Sequence, residues 1–264
     1  MIMARRVALN GVWLDELDDR IVISGIEPGA GEESIQAVDA AAGYGQRITG
    51  RHRSTMDIIV KFRMLENGRS DTGLAERSRL LEAVNVWAQA GGILTVNYKP
   101  NRRAAVVLAE APGEDSLWDF SKEFVLVFRA YAVPYWEDET ANTATFGGNT
   151  ASGSRSISVE GSARTVCDVE LENTSGMTIN SCTVKVGGNT MSFSSLGLGG
   201  GETLVIDHQD GLVRIRIRRG GSYRSAMAAR SGANDMLVAP GTISCTYSAD
   251  RACRMTVIWR SRYL

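Results

Sequence analysis

The sequence is short of the residues on which catalysis and metal binding usually depend. It has only two histidines, His52 and His208, and only four lysines among its 29 basic residues. General acid–base and nucleophilic catalysis need such groups held within mutual reach. His52 sits in GRHRS, beside two arginines that disfavour its protonation, and His208 sits in VIDHQDG at a hairpin end. Both read as surface or turn residues rather than as a base or a metal ligand. No serine, cysteine or lysine stands in a recognisable nucleophile context. The four cysteines, at 167, 182, 245 and 253, include no C-x-x-C pair, so a zinc site is unsupported. Each falls on the apolar face of an alternating strand, as Cys167 does with Val169 and Leu171, which predicts buried, reduced thiols acting as small hydrophobes. No metal, cofactor or catalytic residue is expected.

Long apolar runs are missing too. None approaches the roughly 18 residues of a membrane span, and MIMARRVALNGVW lacks the apolar core of a signal peptide. The expectation is a protein made inside the cell and not inserted in a membrane. A net charge of −1 gives no general reason to bind nucleic acid or an anionic surface. The 264 residues, 44% hydrophobic and 22% charged, suffice for one large domain or two of about 100–150 residues. Divided after Asp138, the first part holds 16 basic and 20 acidic residues and the remainder 13 and 10. Arginine in place of lysine suits protein interfaces, although a GC-rich coding bias explains it equally well.

What is present is alternation. RRVALNGVWL and RIVISGI read as strands with the polar turn DELDD between them. Glu27 to Gly50 has no clear period and reads as a long excursion, of the kind that is functional or disordered. In HRSTMDIIVKFRML, residues Met56, Ile58, Val60, Phe62 and Met64 share one face. ENGRSDTG is a turn that offers Asp71 or Thr72 as a helix cap. LAERSRLLEAVNVWAQA is the one convincing helix, with Leu80, Leu81, Val84, Trp87 and Ala88 in a stripe and Gly91-Gly92 as the stop. ILTVNYK, RRAAVVLAEA and SKEFVLVFRAYAV complete a mostly antiparallel sheet or split barrel with one helix, an α+β domain spanning 1–138.

The apolar run FVLVFRAYAV then breaks at Pro134 and gives way to a stretch rich in Gly, Ser, Thr and Asn. That stretch reads as a linker and the ragged first strand of an all-β domain, 139–264. TVKVGGNTMSFSS reads as a hairpin around Gly188-Asn189 and TLVIDHQDGLVRIRI as another around Asp210-Gly211. TISCTYSADRACRMTVIW reads as a third with a longer turn. Short strands with Gly-rich turns indicate a β-sandwich.

The order of parts, with NGVWL near the start, the R-LLEAV-VW helix and the PYWED boundary, resembles the distal tail (Dit-like) protein family of long-tailed phages and prophages over nearly the whole chain. The resemblance implies a hexameric ring at the tail tip, made by the first domain, and a galectin-like sandwich projecting outward. The implied role is a structural hub, not an enzyme, in the virion tail tip, assembled in the host bacterial cytoplasm. Its implied partners are the tail tube protein, a tail-associated lysin or fibre, and receptor-binding proteins. Contractile tails, tail-like bacteriocins and gene-transfer particles use related rings. A closed ring needs a heterologous contact, and the Glu27–Gly50 excursion is the candidate for it, with Glu32, Glu33 and Arg47 for polar pairing and Tyr44 as an anchor.

Other features are weighed against this. DELDD is a cation or acid–base candidate, but a polar turn accounts for it. LGLGGGE lacks the Lys-Ser/Thr and following helix of a phosphate loop. Arg214, Arg216 and Arg218 share one strand face without interleaved aromatics, which argues against a stacking platform and against stable nucleic acid binding. A carbohydrate-binding module is the alternative reading. Galectin-type binding uses His-x-Asn-Pro-Arg and a Trp under the sugar, whereas His208 is followed by Gln209-Asp210-Gly211 and no Trp appears until Trp259.

Overall fold

The first turn of the chain is made by Asn10-Gly11, at φ 52° and 82°, the left-handed pair that a type I′ hairpin demands. It joins β1 (Val7–Leu9) to β2 (Val12–Trp13), so RRVALNGVWL is a hairpin and not the single strand expected. A 3-10 turn at Leu14–Glu16 leads on to β3 (Ile21–Pro28), β4 (Glu32–Asp39) and β5 (Gln46–Met64). Helix α1 (Asp71–Gln89) and strands β6 (Gly92–Val96), β7 (Arg102–Glu110) and β8 (Phe124–Ala130) follow. These coordinates are a computed structural model, which describes residues 5–28, 32–39, 46–65, 71–113, 117, 123–209 and 211–264. The chain divides into two units, Met1–Trp136 and Glu137–Leu264.

In the first unit the strands lie in the order β2-β1-β6-β7-β8-β5-β3, with antiparallel neighbours throughout, and β4 pairs with β5. Period-two alternation puts Met56, Ile58, Val60 and Phe62 of β5 beside Phe124, Leu126 and Phe128 of β8, all buried. Phe62 stacks on Phe124 at 5.2 Å, and Trp87 of α1 meets Phe128 edge-on at 5.9 Å. The helix stripe Leu80, Leu81, Val84, Trp87 and Ala88 is buried as expected. The helix ends at Gly91, whose φ of 56° suits a glycine and whose N–H donates to the Ala88 carbonyl. The expected cap residues Asp71 and Thr72 open the helix, but their side chains lie outside what is described.

Two of the short motifs meet in space. The Asn10 side chain donates to the Gly91 carbonyl at 2.7 Å and accepts from the Ile93 N–H at 2.9 Å. The Trp87 indole donates to the Val12 carbonyl at 3.0 Å. NGVW and the end of the helix are thus one clamp, and a side chain at Gly92 would collide with Asn10.

The second unit begins with the last two residues of β9 (Trp136–Asp138) and continues with β10 (Asn142–Val159), β11 (Thr165–Asn173), β12 (Cys182–Val186), β13 (Asn189–Phe193) and β14 (Thr203–Gln209). Then come β15 (Leu212–Arg219), β16 (Ser222–Ser225), β17 (Arg230–Gly232), β18 (Leu237–Val238), β19 (Gly241–Trp259) and β20 (Arg262–Tyr263). The strand order is β16-β15-β14-β11-β19-β12-β13-β17, with β10 on β19 and β18 on β11. The first half of β19 pairs with β12 and the second with β11. One strand therefore serves both layers of the sandwich, and the two layers share one hydrophobic core.

This corrects two expectations. TISCTYSADRACRMTVIW is not a hairpin but one 19-residue strand. The Gly/Ser-rich stretch is the first strand of the sandwich, as expected, but it holds no linker: Asn142–Val159 is the partner of β19, paired from Asn142↔Trp259 to Val159↔Gly241. The register breaks between Gly147 and Ser152, where the ribbon passes from one layer to the other. The buried Tyr247 fills that corner and donates to the Cys253 carbonyl at 2.8 Å. A Cβ at Gly147, which has φ 83°, would fall on the Tyr247 hydroxyl, and one at Gly153 would meet its ring. The small residues are there because an aromatic ring occupies the space. The turn between β12 and β13 is Gly187-Gly188, one residue earlier than expected; β14 ends at Gln209 and β15 begins at Leu212, which flank the expected turn, and Asp210 itself lies outside the described residues.

Candidate functional site: an assembly interface

The Glu27–Gly50 excursion, expected to lack structure, is a β-ribbon. Strand β5 spends its last nine residues between β3 and β8 and its first ten, Gln46–Thr55, paired with β4 alone. At about 3.3 Å per residue the paired arm runs roughly 30 Å beyond the sheet. Its register sets Glu33 opposite Arg53 and Val38 opposite Arg47, with breaks after Glu32 and Gln36. The sequence hid this strand because EESIQAVD has no apolar face to alternate.

Residues Ile35 to Asp39 are exposed one after another, Ile35 at 51% and Val38 at 52%. Successive strand residues point to opposite faces, so both faces of β4 are exposed from Ile35 to Asp39. A two-stranded ribbon is marginal by itself in water. Of the residues expected at the interface, Glu32, Glu33 and Arg47 belong to this arm, with side chains outside what is described. Tyr44 lies outside the described residues.

The outward face of the sheet carries matched charges. Arg129 holds Asp57 through two hydrogen bonds of 2.6 and 2.7 Å, Lys61 pairs with Glu27 at 2.6 Å, and Arg63 with Glu123 at 3.0 Å. Arg129 keeps the Asp57 carboxyl below the usual carboxylate range. The turn from β6 to β7, NYKPNRR, is different: it holds Lys99, Arg102 and Arg103 and no acid. The Asn97 N–H donates to the Arg6 carbonyl, which brings Arg5 alongside Tyr98. Arg5, Lys99 and Arg103 pair with no described carboxylate, whereas Arg6 is held by Asp15 and Glu16. Burial and then the nearby Arg102 push the Lys99 ammonium below its usual range. The sequence reading passed over this turn, although a basic run without an acid was there to be seen.

The other candidates resolve into internal contacts. In DELDD, Asp15 and Glu16 bind Arg6, and Asp18 is gripped by Arg20 through both oxygens. That grip, with the Arg20 N–H, holds Asp18 well below the usual carboxylate range. Arg20 also reaches Glu76 on α1 at 2.8 Å. In LGLGGGE, Glu202 accepts from the Gly199 N–H and from Arg224 and so closes its own turn. Arg214 and Arg216 share Asp207, Arg216 lies 4.4 Å from the Tyr223 ring centre, and Arg218 pairs with Glu170. Those cations are partnered within the sandwich. His208 Nδ1 lies 2.9 Å from Asp168, and its Nε2 is buried. His52 lies opposite Ser34 in the arm. Trp259 is buried, and so does not lie open beneath a sugar. The four cysteines are free and buried, and burial pushes Cys167 and Cys182 up to about 12. Among the described residues, no group of three His, Cys, Asp or Glu side chains is placed to hold a metal, and no helix is long and apolar enough to cross a membrane.

No family model and no curated protein matches the sequence. Among solved structures, the chain is similar to the SPP1 Dit (gp 19.1) protein, described as a paradigm of the hub adsorption apparatus in phages infecting Gram-positive bacteria. The TM-score is 0.69 at 14% identity, over 99% of this chain and 100% of that one. A chain of the phage P2 baseplate in its activated conformation with Ca reaches a TM-score of 0.49 at 9% identity over 98% of both chains, a likeness on which nothing is built. What 14% identity shows is the fold. This chain has the fold of the SPP1 Dit protein over 99% of its length, and the mostly antiparallel sheets with one helix expected from the sequence pattern are what is found among the described residues.

Proposed function

We propose that this chain, having the Dit fold over nearly its whole length, is a structural hub of a phage tail tip or baseplate. Six copies close into a ring through the first unit. The ring joins the tail tube protein to a tail-associated lysin or fibre and to receptor-binding proteins, while the sandwich, read as the galectin-like domain, projects outward. The protein acts in the virion tail tip after assembly in the host bacterial cytoplasm, and does so without catalysis.

The observation that carries this reading beyond the fold is the β4–β5 arm. A ribbon whose outer strand is exposed on both faces from Ile35 to Asp39 suits a contact in which one face of a subunit meets a different face of the next. The excess of acid in the first part, 20 residues against 16, fits a lumen that lets DNA pass without adhesion. The test is the mass of the purified chain in solution followed by particle averaging. A six-fold ring supports the hub, and a monomer at every concentration rejects it. Tight DNA binding at physiological salt would reject the account of the lumen.

A further inference from the structure

The arm needs an acceptor, and the sheet topology narrows where it lies. The arm leaves at the N-terminal end of β5. Because β8 runs antiparallel to β5 with Met56 opposite Ala130, that end of the sheet is also the C-terminal end of β8. Because β7 runs antiparallel to β8 with Val107 opposite Arg129, it is the N-terminal end of β7 as well. The β6–β7 turn therefore lies at the same rim as the root of the arm. Two strands, β7 and β8, lie between β6 and β5, a lateral offset of about 14 Å at ordinary strand spacing.

The charges at the two places are complementary. The outer strand of the arm, EESIQAVD, has three acids, Glu32, Glu33 and Asp39, and no base. The turn NYKPNRR has three bases and no acid, with Arg5 adjoining. Within one molecule Asp39 is exposed, and Lys99 and Arg5 pair with no described acid. In a ring, every copy presents this rim on the same side, so an arm reaching sideways meets the same turn of the next copy.

Resting on the hub reading, we infer that the Arg5–Lys99–Arg102 cluster around Tyr98 is the seat for strand β4 of the neighbouring copy. Tyr98, 43% exposed, supplies apolar area for Ile35 or Val38 beside the ion contacts. Lys99 is fixed for this by its place 5.2 Å from the Trp136 ring centre. The mutual repulsion of Lys99 and Arg102 in the free molecule is relieved when carboxylates arrive.

The experiment is a charge exchange in the full chain, read as mass against protein concentration by light scattering. K99E/R102E and, separately, E32K/E33K should each raise the concentration needed for assembly by roughly a hundredfold, as like charges facing each other do. The four changes together should restore assembly to within about tenfold of the unaltered chain. Far-UV circular dichroism and a melt establish that each variant is folded. Should K99E/R102E fail to fold, K99Q/R102Q should make assembly measurably less sensitive to salt than the unaltered chain. A ring that forms normally in K99E/R102E, a salt response unchanged in the glutamine variant, or four changes that do not restore assembly, overturns the inference. An occupant of another kind, such as an acidic tail protein, would leave the ring intact in both reversals and is thereby recognised. An unaltered chain that never assembles rejects the hub reading itself, which separates the two failures.

Discussion

The two units treat their long ribbons in opposite ways. In the sandwich, β10 and β19 form a ribbon of 18 and 19 residues that is flanked by β11 on one side of its bend and β12 on the other. Its corner is filled by Tyr247, and its neighbouring arginines are matched by Glu170, Glu172 and Asp207. In the first unit, β4 and the start of β5 form a ribbon whose residues Ile35 to Asp39 are exposed, at the same rim as the basic β6–β7 turn. One ribbon completes a core, and the other leaves its contacts to be made. A closed fold accounts for the sandwich without reference to a partner, whereas the exposed ribbon of the first unit is what the proposed ring would cover.

The contrast is broken most sharply by removing the arm. Deleting residues 30–48 should abolish the oligomer while leaving the near-ultraviolet signal of the Trp87 and Trp136 environments, as gel filtration and circular dichroism will tell. A full ring from the deleted protein would remove the arm from the account. In the sandwich, Gly147→Ala should cost about 2–4 kcal/mol in a denaturant titration, since it combines a left-handed backbone with overpacking against Tyr247. It should leave assembly unchanged if the units serve separate ends.

Asn10→Ala should cost about 1–2 kcal/mol through the lost bonds to Gly91 and Ile93. The pH response is smaller. Asp18 and Asp57 have carboxyls depressed in the folded state. Their stabilisation is complete above the ordinary aspartate pKa of about 4 and is lost as pH falls below it. Asp18→Asn should flatten that acid limb in melts from pH 6 to pH 3. The thiols act at the alkaline end. Burial keeps them un-ionised in the fold, so stability should fall as pH rises past the ordinary thiol value of about 8.5, by up to about 1.4 kcal/mol per pH unit for each thiol. A thiol reagent should label none of the four before unfolding.

Where burial was one-sided, the sequence was legible. Met56 to Met64 and Cys167 to Leu171 alternate because one face meets a core, and α1 shows its stripe for the same reason. Where burial was two-sided or absent, it was not. Gly147 and Gly153 are glycine because Tyr247 leaves no room for a side chain, and most of their neighbours in 142–159 are exposed and polar, which together mimic the composition of a linker. Residues 248–252, SADRA, look like a turn because the strand leaves one layer there for the other. The arm was invisible as a strand because both faces of β4 are exposed from Ile35 to Asp39. Its acids were noticed and the basic turn was passed over although NYKPNRR is legible as a run; only the approach of Arg5 to Tyr98, which follows from the pairing of β1 with β6, needed the structure.

The central claim is that the first unit completes itself with copies of the same chain. The direct measurement is native mass spectrometry of the full chain over a range of concentrations. A single species of six copies, lost when residues 30–48 are absent, is the result expected. One copy at all concentrations, with the arm present, would contradict it.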